Sequence, residues 1–381
     1  MSAVYSPSFM RARRIRLALL AVSALWAKET LLAQKTPELK LDTGQQIYEA
    51  ACIGCHGPGG KGQPESTLGF EKPPQFPDFS DCNGSAREDT FDWKATIHEG
   101  GPGRGWSDIM PSFSESLTLD QIDKVMRYLR TLCSERSWPL GEMNLPRALV
   151  TEKAFPEDEW VLTSTVNTSG TGSVDGELIY ERRFGVRNQL EFAAPYGFLQ
   201  RDNKSWIGGI GDLTLGYKRV LFSSSQSIFS LHGEVSLPTG NRLRDLGSGV
   251  TTFGTFAEFG QRLTRLSFFQ IQTGADLPAD TEKAPQSVFF NAAIGKTIAQ
   301  NRSFGRIWTP MLEFLVDREL VSGARTNWDL LPEVQVSLNK RHHVRANVGV
   351  RRPVNNTAGR STQVMFYVLW DWFDGGLLEG W

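Results

Sequence analysis

The chain has 381 residues, enough for two or three domains, and its 41 basic and 42 acidic side chains leave a formal net charge of −1. This balance lacks the basic excess of nucleic-acid-binding proteins, so we expect no nucleic-acid partner. Most of the 37 glycines and 23 phenylalanines lie after residue 150.

The first 33 residues predict a secretory signal peptide. A basic stretch, residues 11–16, precedes an apolar run from Leu17 to Ala27. That run is shorter than the ~20 residues that a membrane-spanning helix needs, so a cleaved signal fits better than the alternative, an uncleaved anchor.

Export leads to an oxidising compartment, where Cys82 and Cys133 could form a disulfide; two buried free thiols are the alternative.

Residues 52–56, Cys-Ile-Gly-Cys-His, form the most informative motif of the chain. C-x-x-C-H is the attachment signature of c-type haem, in which two thiols form thioethers and the adjacent histidine ligates the iron. The motif predicts one covalent haem c on Cys52 and Cys55, with His56 as an iron ligand. A disulfide or a zinc pair beside a surface histidine is the alternative.

Met110 is the candidate for the second axial ligand of the iron. Pro111 follows it and fixes the backbone at that point. A thioether opposite an imidazole favours ferrous iron and raises the reduction potential. His98 is the rival ligand, although its surroundings indicate an exposed helix end, and Met126 has the position of a core residue within a helix.

Two helices are predicted to frame the haem motif. Thr43–Gln46 and Thr118–Gln121 have the pattern of capping boxes, and apolar residues follow the second one at helical spacing. These helices, the C-x-x-C-H motif and Met110 together predict an all-α haem domain over residues 38–137.

Residues 38–137 resemble class I cytochromes c. The resemblance implies that the first and last helices cross, which places Gly44 and Tyr48 against Tyr128 and Leu129. It also implies that residues of the intervening loop meet the haem propionates, and Arg104 and Trp106 are the candidates for that role.

Residues 138–158 are predicted to be a linker. Pro139 ends the preceding helix, and Pro146, Pro156 and the acidic residues 157–159 show no apolar period. We therefore expect a tether between two domains.

Residues 159–381 change from a helical period to strict alternation. In residues 229–237, apolar side chains alternate with polar ones, the pattern of a strand that has lipid on one side and a polar lumen on the other. The segment predicts an antiparallel transmembrane β-barrel of about 12 strands; a soluble β-sandwich is the alternative. The predicted strands are 160–168, 173–184, 187–197, 207–222, 226–238, 249–262, 264–277, 286–299, 306–318, 326–339, 341–353 and 360–373.

The segment Gly208–Lys218, Gly-Gly-Ile-Gly-Asp-Leu-Thr-Leu-Gly-Tyr-Lys, resembles the meta-pathway phenol-degradation transporter family, and Leu237–Gly240 is a second point of likeness. That family consists of porin-like outer-membrane barrels linked to uptake of aromatic compounds. The resemblance implies an outer-membrane location in contact with lipid. We expect the haem domain in the periplasm or in the barrel lumen.

A haem domain joined to a barrel predicts electron transfer at the outer membrane, and the architecture is similar to the cytochrome–porin fusions of iron-oxidising bacteria. The expected partners are a periplasmic electron carrier and an external or luminal redox partner, such as an extracellular electron donor or acceptor. An electron-transfer protein fits better than an enzyme, for which oxidation of an external metal donor is the candidate activity. The alternative function is a channel for small solutes, aromatic ones included, with the cytochrome as a periplasmic cap or redox gate.

Five charged residues of the predicted lumen could steer such a cap or an ion. They could equally be ordinary solvated lumen side chains. They are Lys218, Glu234, Glu333, Arg345 and Arg351.

Overall fold

The computed structural model describes residues 39–135, 137–299 and 305–381. Thr43–Trp381 form one compact unit. The predicted signal peptide lies outside the described residues. Among the residues described, no helix is both long and apolar enough to cross a membrane.

The first part of the compact unit is helical. Both predicted capping boxes form: the side chain of each threonine accepts a hydrogen bond from a glutamine N–H, and the glutamine side chain accepts one from the threonine N–H. The helices are α1 (Gly44–Ala51), α2 (Ile53–His56), α3 (Cys82–Ser85), α4 (Thr90–Gly103) and α5 (Leu119–Leu132).

Helices α1 and α5 cross at Gly44. A Cβ atom at this position would lie 2.1 Å from the carbonyl oxygen of Lys124, so only glycine allows the two backbones to approach this closely. One turn later the rings of Tyr48 and Tyr128 lie 5.4 Å apart, and the Tyr48 hydroxyl donates to the carbonyl of Gly57 at 2.6 Å. The expected helix crossing is thus confirmed.

The second part is a closed antiparallel barrel of twelve strands, as predicted. Closure is made by pairing of β9 (Ser287–Lys296) with β11 (Ile307–Glu319) and of β1 (Glu159–Asn167) with β14 (Gln363–Asp371). Two short strands, β4 and β10, lie beside the ring strands and pair only with β3 and β11, respectively. The strands are β1 (Glu159–Asn167), β2 (Ser173–Phe184), β3 (Asn188–Gln200), β4 (Trp206–Ile210), β5 (Leu213–Ser223), β6 (Ser227–Leu237), β7 (Thr252–Arg262), β8 (Ser267–Pro278), β9 (Ser287–Lys296), β10 (Ile298–Ala299), β11 (Ile307–Glu319), β12 (Asn327–Ser337), β13 (Val344–Pro353) and β14 (Gln363–Asp371).

The alternation along the strands separates an apolar outside from a polar inside. In β6, Leu231 is 46% exposed, whereas its neighbours Ser230 and His232 are buried. Because the sheet closes on itself, the buried polar side chains face a lumen and the exposed apolar ones form an outer belt. A soluble sandwich would instead bury its apolar face between two sheets.

The two ends of the barrel differ. Short turns, at residues 185–187, 224–226 and 263–266, join strands at one end, and longer connections, such as 238–251 and 354–362, join them at the other. The helical domain lies against the short-turn end. There the Arg187 Nε atom donates to the Ser137 carbonyl at 2.9 Å, and the Arg341 Nε atom donates to the Gly105 carbonyl at 2.9 Å.

The segment between the two domains, predicted to be a tether, is buried. Its Met143, Leu145 and Phe155 belong to one apolar cluster with barrel residues such as Val220 and Phe268. After a single 3-10 turn at Gly141–Met143, the segment enters the lumen without helix or strand of its own. The lumen side chains around the segment determine its backbone conformation. Because the segment forms neither a long helix nor a strand, its sequence shows no hydrophobic period.

Candidate haem site and its contact with the barrel

The C-x-x-C-H motif lies on the short helix α2 and is held by the glycine-rich turn that follows. Gly57 has φ +69°, and a Cβ atom there would lie 2.7 Å from the carbonyl carbon of Gly62. This reversal lets the Gly62 N–H donate to the His56 carbonyl at 2.7 Å and the Gln63 N–H donate to the Cys55 carbonyl at 3.0 Å. Both hydrogen bonds fix the backbone of the motif.

His56 is enclosed by two aromatic rings that the sequence motif did not identify. The ring centroids of Phe76 and Phe79 lie 5.2 and 5.0 Å from that of the imidazole. Burial lowers the pKa of His56 to about 4, so the ring is neutral at physiological pH. The Nδ1 atom of His56 is buried and has no hydrogen-bond partner among the described residues.

These properties fit a c-type haem. A neutral imidazole is the form of histidine that ligates a metal. Cys52 and Cys55 are the two cysteines outside the disulfide, and Cys55 is exposed. Cys52, Cys55 and His56 would therefore hold a haem c at α2.

Backbone hydrogen bonds hold the segment that contains Met110 against the end of α4. The Gly101 N–H donates to the Met110 carbonyl at 3.0 Å, and the Phe113 N–H donates to the Ile97 carbonyl at 3.1 Å. Gly100, with φ +76°, allows this approach, because a Cβ atom there would lie 2.7 Å from the Ser112 nitrogen. Met110 itself is half-buried, and its role as iron ligand stays a prediction.

The rival ligand, His98, precedes this turn on α4. Its ring nitrogen Nδ1 lies 3.0 Å from the Glu99 carboxylate, and its carbonyl accepts a hydrogen bond from the Ser112 hydroxyl at 2.6 Å. The His98 backbone thus helps to hold the Met110 segment.

Arg104 and Trp106, the candidates for propionate contacts, both have partners at the barrel. The Arg104 guanidinium is buried, donates to Asp92 at 2.6 Å and lies 3.0 Å from the His342 ring. The Arg341 guanidinium lies 4.1 Å from the centre of the Trp106 ring. A role toward haem propionates stays a prediction for both residues.

His342 links the haem domain to the barrel turn between β12 and β13. Its Nδ1 atom lies 2.8 Å from the Asp92 carboxylate, and its Nε2 atom lies 2.6 Å from the Gly305 carbonyl oxygen. Although burial opposes it, the charges of His342 and Arg104 hold the pKa of Asp92 well below its usual range. Because Asp92 and His342 are 250 residues apart, the sequence carried no signal for this contact.

Cys82 and Cys133 form a disulfide, the pairing favoured from the sequence. The bond joins α3, within the loop of residues 67–89 that contains Pro73, Pro74 and Pro77, to the residue that follows α5. It therefore ties the loop beside the haem motif to the closing helix of the domain.

Asp89 makes the stability of this region depend on pH. Burial, together with the charge of Glu142, raises the pKa of Asp89 to about 7. A carboxyl whose pKa is raised in the folded state favours folding at low pH, and this contribution is lost as the pH rises from about 4 to about 7. We expect Asp89→Asn, which keeps the helix cap, to raise the free energy of unfolding at pH 8 by roughly 1–4 kcal/mol and to change it little at pH 4. Denaturant unfolding at both pH values measures this, and an equal effect at both would contradict it.

Lumen carboxylates hold the backbone of the linker. Glu333 accepts a hydrogen bond from the Leu149 N–H at 3.0 Å. Glu313 accepts from the N–H groups of Val150 and Thr151 at 3.0 and 2.6 Å. These bonds satisfy backbone groups that a buried segment without secondary structure would otherwise leave unpaired.

Of the five charged residues expected in the lumen, four form hydrogen bonds within the described structure and the fifth is half-buried. Lys218 donates to the carbonyl of Lys153 in the linker at 2.9 Å, and Glu333 binds Leu149 as above. Arg345 donates to the His342 carbonyl at 2.8 Å and Arg351 donates to Asp329 at 2.6 Å, whereas Glu234 is half-buried. Lys218 and Glu333 thus position the linker.

Comparison with known proteins agrees with this division of the chain. Residues 41–133 match the family model described as cytochrome c. No curated protein sequence matches the chain.

The barrel is similar to solved structures of outer-membrane proteins. An outer membrane channel from Pseudomonas putida F1 matches with 14% identity and a TM-score of 0.41, over 57% of this chain and 96% of the channel. The NanC porin matches with 10% identity and a TM-score of 0.40, over 55% of this chain and 97% of the porin. The closed barrel itself is established by its strand pairing. The chain is therefore a cytochrome c domain, at residues 41–133, fused to a closed twelve-stranded β-barrel.

Proposed function

We propose that this protein transfers electrons at the outer membrane. Its cytochrome c domain would exchange single electrons between a periplasmic carrier and an external or luminal redox partner. The proposal is based on the position of two segments. The cytochrome c domain is fixed to one end of the barrel, and the chain's own linker occupies the lumen.

The barrel supports an outer-membrane location. A closed ring of strands leaves no unpaired edge, and its exposed apolar belt suits a lipid environment. In bacterial barrels the short turns face the periplasm. The helical domain contacts the short-turn end, which supports a periplasmic position for the haem site.

The haem site supports one-electron chemistry. A haem c bound at Cys52, Cys55 and His56 would supply a reversible one-electron couple. Phe76 and Phe79 enclose the histidine and keep water from it. With Met110 as a second axial ligand, no coordination position would remain for substrate, which favours electron transfer over catalysis.

The occupied lumen disfavours the alternative function, an open solute channel. Linker residues such as Thr151 and Phe155 are fully buried inside the barrel. Solute passage through the lumen would require the linker to leave hydrogen bonds and apolar contacts that it now makes.

The proposal can be tested in cells that carry the full chain. A reductant coupled to a dextran too large for any porin is added to intact cells, and the haem absorbance is followed. Fast reduction supports electronic contact with the exterior. Reduction only after the outer membrane is permeabilised overturns the external partner and leaves exchange within the periplasm. The double variant Cys52→Ala and Cys55→Ala, which cannot attach haem, is the control and should give no signal.

A further inference from the structure

Three side chains in the barrel lumen form a group suited to a metal ion. They are Glu152 from the linker, Glu191 from β3 and His232 from β6. Their candidate ligand atoms all lie within 4.8 Å of one another. Two carboxylates and one imidazole are a ligand set that first-row transition metals accept.

The histidine of this group is buried without a hydrogen-bond partner. His232 is 2% exposed, and neither of its ring nitrogens has a hydrogen-bond partner among the described residues. The Nδ1 atom lies 3.6 Å from a Glu152 oxygen and 3.6 Å from a Glu258 oxygen, in both cases too far for a hydrogen bond. Burial of an imidazole without a hydrogen bond is unfavourable, and a bound metal ion would offset this cost.

One carboxylate oxygen of Glu191 is also buried without a hydrogen bond in the described part of the chain. This oxygen is Oε2, and the residue as a whole is 8% exposed. Arg147, another buried cation of the lumen, donates to Glu159 and Glu181 at 2.7 and 2.9 Å. A buried carboxylate is stable only with a proton or a cation beside it.

Lys218 is the cation nearest to the group, and it is shared with other acceptors. Its Nζ atom lies 3.2 Å from Glu258 and 3.6 Å from Glu152, and it donates to the Lys153 carbonyl. Glu191 forms no ion pair with it at salt-bridge distance in the described structure.

Gly216 of β5 provides the space in which the group assembles. A Cβ atom at this position would lie 2.5 Å from the Nε2 atom of His232 and 3.2 Å from the Cβ atom of Glu191. The absence of a side chain at Gly216 thus allows the imidazole to reach toward the carboxylate of the neighbouring strand.

We propose that Glu152, Glu191 and His232 bind one divalent transition-metal ion. The ion joins the linker to the barrel wall, because Glu152 belongs to the linker and the other two ligands belong to strands. This site is separate from the haem motif and does not depend on the electron-transfer function.

Zn²⁺ is the probe for this site. The full haem-loaded chain in detergent is stripped with a chelator and titrated with Zn²⁺, and the retained zinc is measured by mass spectrometry after gel filtration. We expect one Zn²⁺ per chain. Glu191→Gln and His232→Gln should each weaken binding at least about 10-fold. Glu177→Gln, which removes another lumen carboxylate on β2, is the matched control and should bind as the unmodified chain does.

X-ray absorption at the zinc edge provides a second readout. The unmodified chain should show scattering from one imidazole, and His232→Gln should lose it. If that variant fails to fold, Gly216→Ala replaces it, because the added methyl group displaces the ring without removing a ligand. Absence of retained zinc overturns the proposal, and so does zinc binding that these substitutions leave unchanged.

Discussion

Replacement of both Glu313 and Glu333 by alanine is expected to open the barrel. These carboxylates accept the backbone N–H groups of Leu149, Val150 and Thr151. An unsatisfied buried N–H costs about 1–3 kcal/mol, so three of them cost at least about 3 kcal/mol. The fraction of molecules in which the linker has left the lumen should therefore rise roughly 100-fold. Single-channel recording in planar bilayers measures the result as frequent openings in a barrel that is otherwise closed.

Asp317→Ala is the matched control for this experiment. Asp317 lies on the same strand as Glu313 but accepts a hydrogen bond from Asn327, away from the linker. Its replacement should leave the conductance unchanged. Equal conductance of the unmodified chain and the double variant would mean that the linker does not block the lumen.

Met110→Ala is expected to change the haem spectrum and to lower its reduction potential. Loss of a thioether ligand removes the preference for ferrous iron. We expect a fall of at least about 0.1 V, a fraction of the ~0.8 V range that axial ligands span. Absorbance spectroscopy of the purified chain and a redox titration measure both effects.

Two further variants make this test specific. Met126→Leu conserves volume at a buried position of α5 and should leave the spectrum unchanged. His98→Gln removes the rival ligand and should also leave it unchanged. A spectrum that responds to His98→Gln and not to Met110→Ala would contradict the assignment of Met110.

Local patterns in the sequence predicted those parts of the fold that local interactions determine. The capping residues Thr43 and Thr118 fixed the starts of two helices, because each contacts a glutamine three residues away. The alternation in strands such as β6 predicted which side chains face inward. The pairing order followed from hairpin connections between neighbouring strands.

The position of the linker inside the lumen could not be predicted, because the residues that bind it are distant in sequence. Thr151 is bound by Glu313, which lies 162 residues further along the chain. The same holds for Asp92 and His342 at the haem domain. In both cases the sequence does not distinguish these residues from ordinary polar side chains of a surface or a lumen. Their contacts exist only in the folded chain.

The four cysteines impose opposite redox requirements on a single maturing chain. Cys82 and Cys133 are oxidised to each other, whereas Cys52 and Cys55 would have to remain thiols for the proposed attachment of haem. Four cysteines allow three fully paired arrangements, and each of them consumes the haem-attaching thiols. Cys55 is exposed, while Cys52, Cys82 and Cys133 are partly covered. In the folded chain, a thiol reductase would therefore reach a disulfide between Cys52 and Cys55 through the exposed Cys55 sulfur, whereas the bond between Cys82 and Cys133 offers no exposed sulfur to attack.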